Sequence, residues 1–421
     1  SGWAYESGKG SSTKKELVDT MKVLQINGVI HQGSTGNIVD AITKYVRLQG
    51  DECAIAYGIG IKTSDGMKFC YRFEQAIYRR CSMITGLRYG FAPLATKRLL
   101  NFIEKYNPDV VHLHSINGNC VNVFTLLTYL KNKNIPTVVT NHAEFFYTGN
   151  CTSTYGCTKY IDGCQACPNI KWASDNALFP KTEYAWEKMR QAFTEFENMH
   201  IVCVSEYSLK CSKKSPILSR YDHSVIFNGI DTNTFRSLND IDIRKKYNLT
   251  AKRIALFVTP VFSMDKEHLK GGYWLVELSK KYSIDEMQFL VVGNQRTNVN
   301  QDNIIFAGVI KDRHLLANIY SQVDIVLGFS KSESFGMTCA EALCCGTPFI
   351  GFRCGGTESI AIKEFSRFLE YGKLNLMESY IDEMPDITKE QRKYISNVAH
   401  NYYSDHLMVK RYYELYRKMC R

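Results

Sequence analysis

The run richest in useful chemistry is Ser332-Glu333-Ser334-Phe335-Gly336-Met337-Thr338-Cys339-Ala340-Glu341-Ala342-Leu343. It follows a short apolar run, Asp324 to Leu327, and is closed by Gly346-Thr347-Pro348. Gly336 predicts the opening of a helix that continues through Cys345. Glu333 then stands in the loop ahead of that helix. Glu341 stands inside it, its side chain tilted back toward the N-terminus. Both carboxylates can therefore face one ligand lodged at the carboxyl ends of parallel strands. A carboxylate accepts several hydroxyl hydrogen bonds, which suits a polyol, and the helix N-terminus beside it suits a phosphate. Any two glutamates at this spacing could be plain surface; the surrounding string argues against that. A second turn of small residues, Asn27-Gly28 and then Gly33-Ser34-Thr35-Gly36-Asn37, lets backbone N–H groups approach an anion ahead of another helix. It is not the dinucleotide fingerprint, because Gly-x-Gly-x-x-Gly is absent.

Two further groups stand out. Asn141-His142-Ala143-Glu144 ends a strand-like run, Thr137 to Thr140, and on its own His142 reads as a structural histidine. Cys151, Cys157, Cys164 and Cys167 are spaced C-x5-C-x6-C-x2-C and end in Pro168. In a reducing compartment such a set suits a structural zinc that staples a loop lacking its own core. Free thiols and disulfides are the other readings. The segment Tyr78 to Tyr106 mixes Arg79, Arg80, Arg88, Lys97 and Arg98 with Ile84, Leu87, Phe91, Leu94, Leu99, Leu100 and Phe102. Such a segment can lie on an anionic membrane surface or pack as an amphipathic helix on its own sheet.

The elements that must position these groups alternate. After Lys22 to Ile26, β-branched runs occur at Cys53 to Tyr57, Val110 to His114, Thr137 to Thr140, Ile201 to Val204 and Val225 to Phe227. A second series follows at Ile254 to Val258, Phe289 to Val292, Ile304 to Phe306, Asp324 to Leu327 and Phe349 to Gly351. Helical periods lie between them, as at Ile38, Ile42, Tyr45 and Val46. Two successive β-α series predict an α/β protein with two parallel, doubly wound sheets. The predicted divisions are an N-terminal domain at 21–231, a C-terminal domain at 232–395, and a helix at 396–421. Its aromatic stripe of Tyr402, Tyr403, Tyr412, Tyr413 and Tyr416 reads as core packing. Residues 1–20 are polar and aperiodic and read as an added extension ahead of a natural start at Met21.

The 421 residues include 52 Lys plus Arg against 42 Asp plus Glu, a formal charge of +10. This mix excludes disorder, collagen and coiled coil. The longest apolar runs are far shorter than the ~20 residues of a membrane span. The 15 cysteines are too scattered for a disulfide scaffold and suit a cytoplasmic setting. The positive charge allows an anionic partner, but its bases are dispersed and no nucleic-acid module appears.

Taken together, Glu-x7-Glu within Ser-Glu-Ser-Phe-Gly-Met…Glu-Ala-Leu…Gly-Thr-Pro, followed by Gly355-Gly356-Thr357-Glu358, resembles the donor site of GT-B glycosyltransferases. The resemblance is to the large retaining family 4, in particular to capsule and exopolysaccharide transferases. Phe227-Asn228-Gly229-Ile230-Asp231, Asp109-Val110-Val111-His112-Leu113-His114 and Lys270-Gly271 agree with it in order and spacing. The resemblance implies two Rossmann-like domains facing across a cleft. It also implies retaining transfer of a sugar from a nucleotide diphosphate to a glycan or lipid-linked acceptor, without a catalytic cofactor. It implies Lys270 and Gly271 at the diphosphate, Glu333 at the sugar, Glu341 at the ribose, and His142 facing the donor sugar. Gly33, Ser34, Ser334, Phe335, Gly336 and Met337 complete the implied donor contacts. One departure is plain: the arginine such proteins carry ahead of the lysine is missing from Thr259-Pro260-Val261-Phe262-Ser263-Met264. Lys266 and Arg353 are the candidate substitutes. An inactive nucleotide-sugar-binding subunit and a GT-B epimerase are the competing readings.

Overall fold

The structure is a computed structural model that describes residues 20–174 and 177–421, so the extension at 1–20 lies almost wholly outside the described residues. Two all-parallel sheets carry the chain. The first contains β1 (Lys22–Val29), β2 (Glu52–Ile59), β3 (Met67–Lys68), β4 (Val110–Leu113), β5 (Thr137–Asn141), β6 (Met199–Cys203) and β7 (Asp222–Val225). Its order is β3-β2-β1-β4-β5-β6-β7. The second contains β8 (Arg253–Phe262), β9 (Met287–Gln295), β10 (Ile304–Gly308), β11 (Ile325–Gly328), β12 (Phe349–Phe352) and β13 (Ser366–Leu369), in the order β10-β9-β8-β11-β12-β13. In each sheet the order reverses beside the first strand, between β1 and β4 and between β8 and β11. Ligands of open α/β sheets lodge at such reversals.

The helices that matter for the site are α1 (Gly33–Leu48) after β1, α2 (Arg72–Thr85) and α3 (Pro93–Tyr106) ahead of β4, and α4 (Gly272–Ser279) after β8. They are joined by α5 (Arg313–Gln322), α6 (Met337–Cys344) after β11, α7 (Lys389–Tyr403) and α8 (Asp405–Met419). Central strands are buried on both faces, as parallel strands sheathed by helices must be: every residue of β4, β5 and β12 is buried. In β1, Leu24 and Ile26 join the main core on one face, while Val23 points to the other, under α8.

Three strands differ from the sequence reading. β7 sits at Asp222–Val225 rather than at 225–227, and β3 and β13 were not foreseen. All three are edges. A short edge strand buries only part of its surface and needs no β-branched run to announce it. The return to the first domain also falls later than residue 396. Helix α7 stays with the second core through Ile395, Ala399 and Tyr403, and only α8 packs on the first, through Met408, Val409, Tyr412 and Tyr416. The two crossings of the chain meet: Ile230 N–H donates to Tyr403 O at 2.6 Å, and Asp405 N–H donates to Ile230 O at 2.9 Å.

Candidate active site

The two reversals face each other across a cleft. One hollow, about 310 Å³, is lined from the first domain by Ser34, Thr35, His142 and Asn228. From the second come Lys270, Glu333 and the residues Ser334 to Thr338, where α6 begins. A neighbouring hollow is lined by Gly33, Ser34, Asn37, Lys311, Arg313, Met337 and Glu341. Ser34 and Met337 border both, so the hollows adjoin along α6.

Backbone geometry explains the glycine that opens α6. Gly336 has φ +97°, and a Cβ there would meet Thr357 Oγ1 at 2.3 Å. Only glycine turns the chain so sharply while lying against α6's neighbour. Phe335 is buried against Phe227 and Tyr403 and anchors the turn. Ser334 ties the two domains together: its hydroxyl donates to His142 O at 2.7 Å, and its carbonyl accepts from Ser205 Oγ at 2.7 Å. Gly271, ahead of α4, has φ +70°, and a Cβ there would strike Phe329 O. Its part is to bring α4 against the strand end, and it lines neither hollow.

Lys270 and Glu333 are not separate. The Lys270 ammonium donates directly to Glu333 Oε1, which also accepts from Ser330 Oγ at 2.8 Å. Lys270 is the only lysine or arginine that lines the first hollow among the described residues. Neither candidate substitute for the missing arginine reaches it. Lys266 lies over the rings of Tyr273 and Trp274, and Arg353 is exposed outside the lining. A phosphate entering here meets one cation, the start of α6 and small residues.

Glu341 lies in the second hollow and accepts from Tyr320 OH at 3.0 Å. Burial pushes its carboxyl up to about 7. His142 contacts His114 through Nε2 at 3.1 Å, and a side-chain hydrogen bond to Asn228 partly offsets the effect of its burial. Burial lowers its pKa to about 4, so the ring is neutral near pH 7. Glu144, two residues on, turns away and accepts the Thr154 N–H from the cysteine loop.

All four loop cysteines, Cys151, Cys157, Cys164 and Cys167, are free thiols lining one cavity of about 20 Å³. As placed, no three His, Cys, Asp or Glu side chains among the described residues converge closely enough to hold an ion. Among the residues that line the hollows, sequence reasoning assigned no role to Asn228, Lys311 and Arg313. Asn228 was visible only as part of the crossing motif, and Lys311 and Arg313 carry no motif of their own.

The comparisons with known proteins agree with this geometry. The family model described as Glycosyltransferase Family 4 matches residues 49–234, and that described as Glycosyl transferases group 1 matches residues 242–401. A protein of Escherichia coli (strain K12), provisionally named colanic acid biosynthesis glycosyl transferase WcaC, is 22% identical over 78% of this chain and 82% of its own length. Among solved structures, a glycosyltransferase from Rickettsia africae ESF-5 superposes with a TM-score of 0.64 at 16% identity, covering 96% of this chain and 99% of its own. Anabaena Alr3699/HepE in complex with UDP-glucose gives 0.61 at 14% identity, covering 94% and 100%. With both sheets, their facing reversals and both family models in register, the chain belongs to the GT-B glycosyltransferases of family 4, group 1.

Proposed function

We propose that this protein transfers a hexosyl group from a nucleotide-diphosphate sugar to a glycan or lipid-linked acceptor, with retention of configuration, in surface polysaccharide synthesis. The observation that carries the reading is the convergence of Lys270, Glu333 and His142 at the start of α6, next to a separate hollow holding Glu341. The first hollow has the groups for sugar and phosphate, and the second has a carboxyl for a ribose. UDP-glucose in HepE, and the polysaccharide named for WcaC, support the donor class and the setting.

In this reading Lys270 and the α6 N-terminus stabilise charge on the leaving diphosphate. Glu333, released from Lys270 as the phosphate arrives, holds sugar hydroxyls. The acceptor attacks from the face that the phosphate leaves, and a phosphate oxygen takes its proton. A thermal-shift panel of nucleotide sugars tests the reading: a true donor at 100 times its Kd adds ~2.7 kcal/mol of apparent stability. Transfer or hydrolysis of that donor supports it. Binding without turnover identifies an inactive binding subunit, and inverted or epimerised sugar overturns retaining transfer.

Two finer parts of the proposal have their own tests. Phe73, Ile77 and Ile84 of α2, with Leu94, Leu178 and Phe179, expose large apolar side chains beside Arg72, Arg79, Arg80 and Lys97. Leu178 and Phe179 are hydrogen-bonded to the end of α2 through Met83 O and Ile84 O, so one patch results. We place it against the anionic inner face of a membrane. Arg98 is not part of it, being bonded to Glu74 within the fold. The protein should co-sediment with anionic vesicles, and the double substitution Phe73→Ser, Phe179→Ser should abolish this; equal sedimentation would refute the assignment. Among the described residues no helix is long and apolar enough to cross a membrane.

The cysteine quartet is proposed to hold a structural zinc, which requires the loop to draw its thiols together around their shared cavity. Protein purified without added metal should contain about one zinc per chain. Four freely titratable thiols and no zinc would end the idea.

A further inference from the structure

The pairing that carries Glu333 is gripped from the other domain. Within the second domain, Glu333 N–H donates to Cys354 O at 3.0 Å and Gly356 N–H donates to Glu333 O at 2.7 Å. Glu333 and Gly355 therefore face each other in an isolated parallel bridge. The Cys354–Gly355 turn is held by Glu358, whose carboxylate accepts both of their N–H groups at 2.9 Å. Glu333 belongs to no helix or longer strand, so this bridge sets where its backbone, and with it the carboxylate, can stand.

From the first domain, the helix Glu206–Lys214 meets the bridge on both sides. Ser205, its N-cap, donates through Oγ to the carbonyl of Ser334, the residue after Glu333. Two residues on, the Tyr207 ring lies against Gly355. A Cβ on Gly355 would stand 2.6 Å from the ring Cζ and 2.7 and 2.8 Å from the flanking Cε atoms, so any larger residue would drive the ring away. The start of a helix leaves its first N–H groups without internal partners. That of Tyr207 reaches Ser359 Oγ across the same interface at 3.4 Å. The ring is also braced within its own domain. Its hydroxyl is in hydrogen-bonding reach of Thr154 and Cys211, and Thr154 N–H donates to the buried Glu144. Tyr207 is thus held by the cysteine loop on one side and seated on the second domain's turn on the other.

We infer that Tyr207 is a positioning residue for the transfer reaction: its ring, seated on Gly355, holds the Cys354–Gly356 turn against Glu333 and so sets the Glu333 carboxylate at the sugar. The inference rests on the transferase reading for its kinetics, while the support of the bridge can be read without substrate. Lys270 and Glu341 stand on other elements, ahead of α4 and inside α6, so the influence of the ring falls on the sugar and not on the nucleotide.

Amide hydrogen exchange followed by mass spectrometry reads the bridge in the free protein. Tyr207→Ala should speed exchange at 332–336 and 353–357 while β8 and β9 exchange as in the wild type. Tyr207→Phe, which keeps the ring, should leave both segments protected. Unchanged exchange in both segments of Tyr207→Ala overturns the inference. Faster exchange spread evenly over the second domain overturns it too, since Tyr207 would then only support the fold. Kinetics with the nucleotide sugar found in the donor panel reads the consequence. Tyr207→Ala should lower turnover about 10-fold or more, within the cost of displacing a reacting group by about 1 Å, with the Kd of the matching nucleoside diphosphate unchanged. Tyr207→Phe should keep most of the wild-type turnover. Introduced into Glu333→Gln, Tyr207→Ala should cost little more, because the group it positions is already lost; effects that multiply would place its action elsewhere and overturn the inference. Loss of nucleoside diphosphate affinity in step with turnover would do the same. Should Tyr207→Ala not fold, Tyr207→Leu removes the flat ring with a smaller change of volume and takes its place. A wild-type protein that neither binds nor turns over any nucleotide sugar would instead defeat the transferase reading, with the exchange result still deciding whether the ring holds the bridge.

Discussion

Lys270→Ala is expected to lower turnover by ~10²-fold or more, the scale of losing a preorganised charge partner in the transition state. Its neighbours cannot take over, since no other lysine or arginine among the described residues lines the hollow. The missing arginine makes this lysine more important here than in a site with two cations. The variant should still fold, because Glu333 keeps its bond from Ser330 and remains partly in contact with solvent. Steady-state turnover at saturating donor, with circular dichroism as the control for folding, measures the effect. Unchanged turnover would remove Lys270 from the diphosphate.

The two glutamates should fail in different ways. Glu333 shares its hollow with Lys270 and His142, where a sugar would react, so Glu333→Gln should cut turnover about 10²-fold, as loss of an interaction that changes with developing charge does. It also frees Lys270 from its ion pair, so the free nucleoside diphosphate should bind at least as tightly as before. Glu341 lies in the other hollow, and Glu341→Gln should weaken nucleotide binding by ~1–2 kcal/mol, the scale of a charged hydrogen bond. Its carboxyl stands near 7 through burial, and ribose hydroxyls donate to the ionised form. Binding therefore favours loss of the proton. In the wild type, nucleotide affinity should rise as pH passes upward through about 7 and level off above it, whereas Glu341→Gln should show no such rise. Calorimetry across that range decides the matter. If Glu333→Gln abolished nucleotide binding and Glu341→Gln spared it, the placement of the donor would be reversed.

What the sequence revealed followed from residue types that do one thing well. Buried parallel strands are continuous apolar runs, so every central strand stood near its observed place. Gly336 and the carboxylates around it were visible because a left-handed turn ahead of a helix demands glycine. What it concealed depends on contacts between distant segments. Lys270 and Glu333 are 63 positions apart, and nothing local says that they touch. The tyrosines of α8 looked like packing, and they are packed, yet two of them also end a polar chain that begins 391 positions earlier at Gln25. The edge strand Asp222–Val225 went astray because its polar residues carry no alternation strong enough to fix its start.

The paired crossings at Ile230 and Ser404 make a pivot. The chain passes between the domains twice, and both passages lie in one small ladder, so close that a Cβ on Gly229 would stand 2.4 Å from Asp405 Cα. Two halves joined by chain crossings on one line are held against sliding there, as the covers of a book are by its spine. A protease cut at either passage would leave the covers bound by the other. Away from that spine the covers are clasped by Ser334, which joins the carbonyl of His142 to the hydroxyl of Ser205, so any turning about the spine must first part those two hydrogen bonds.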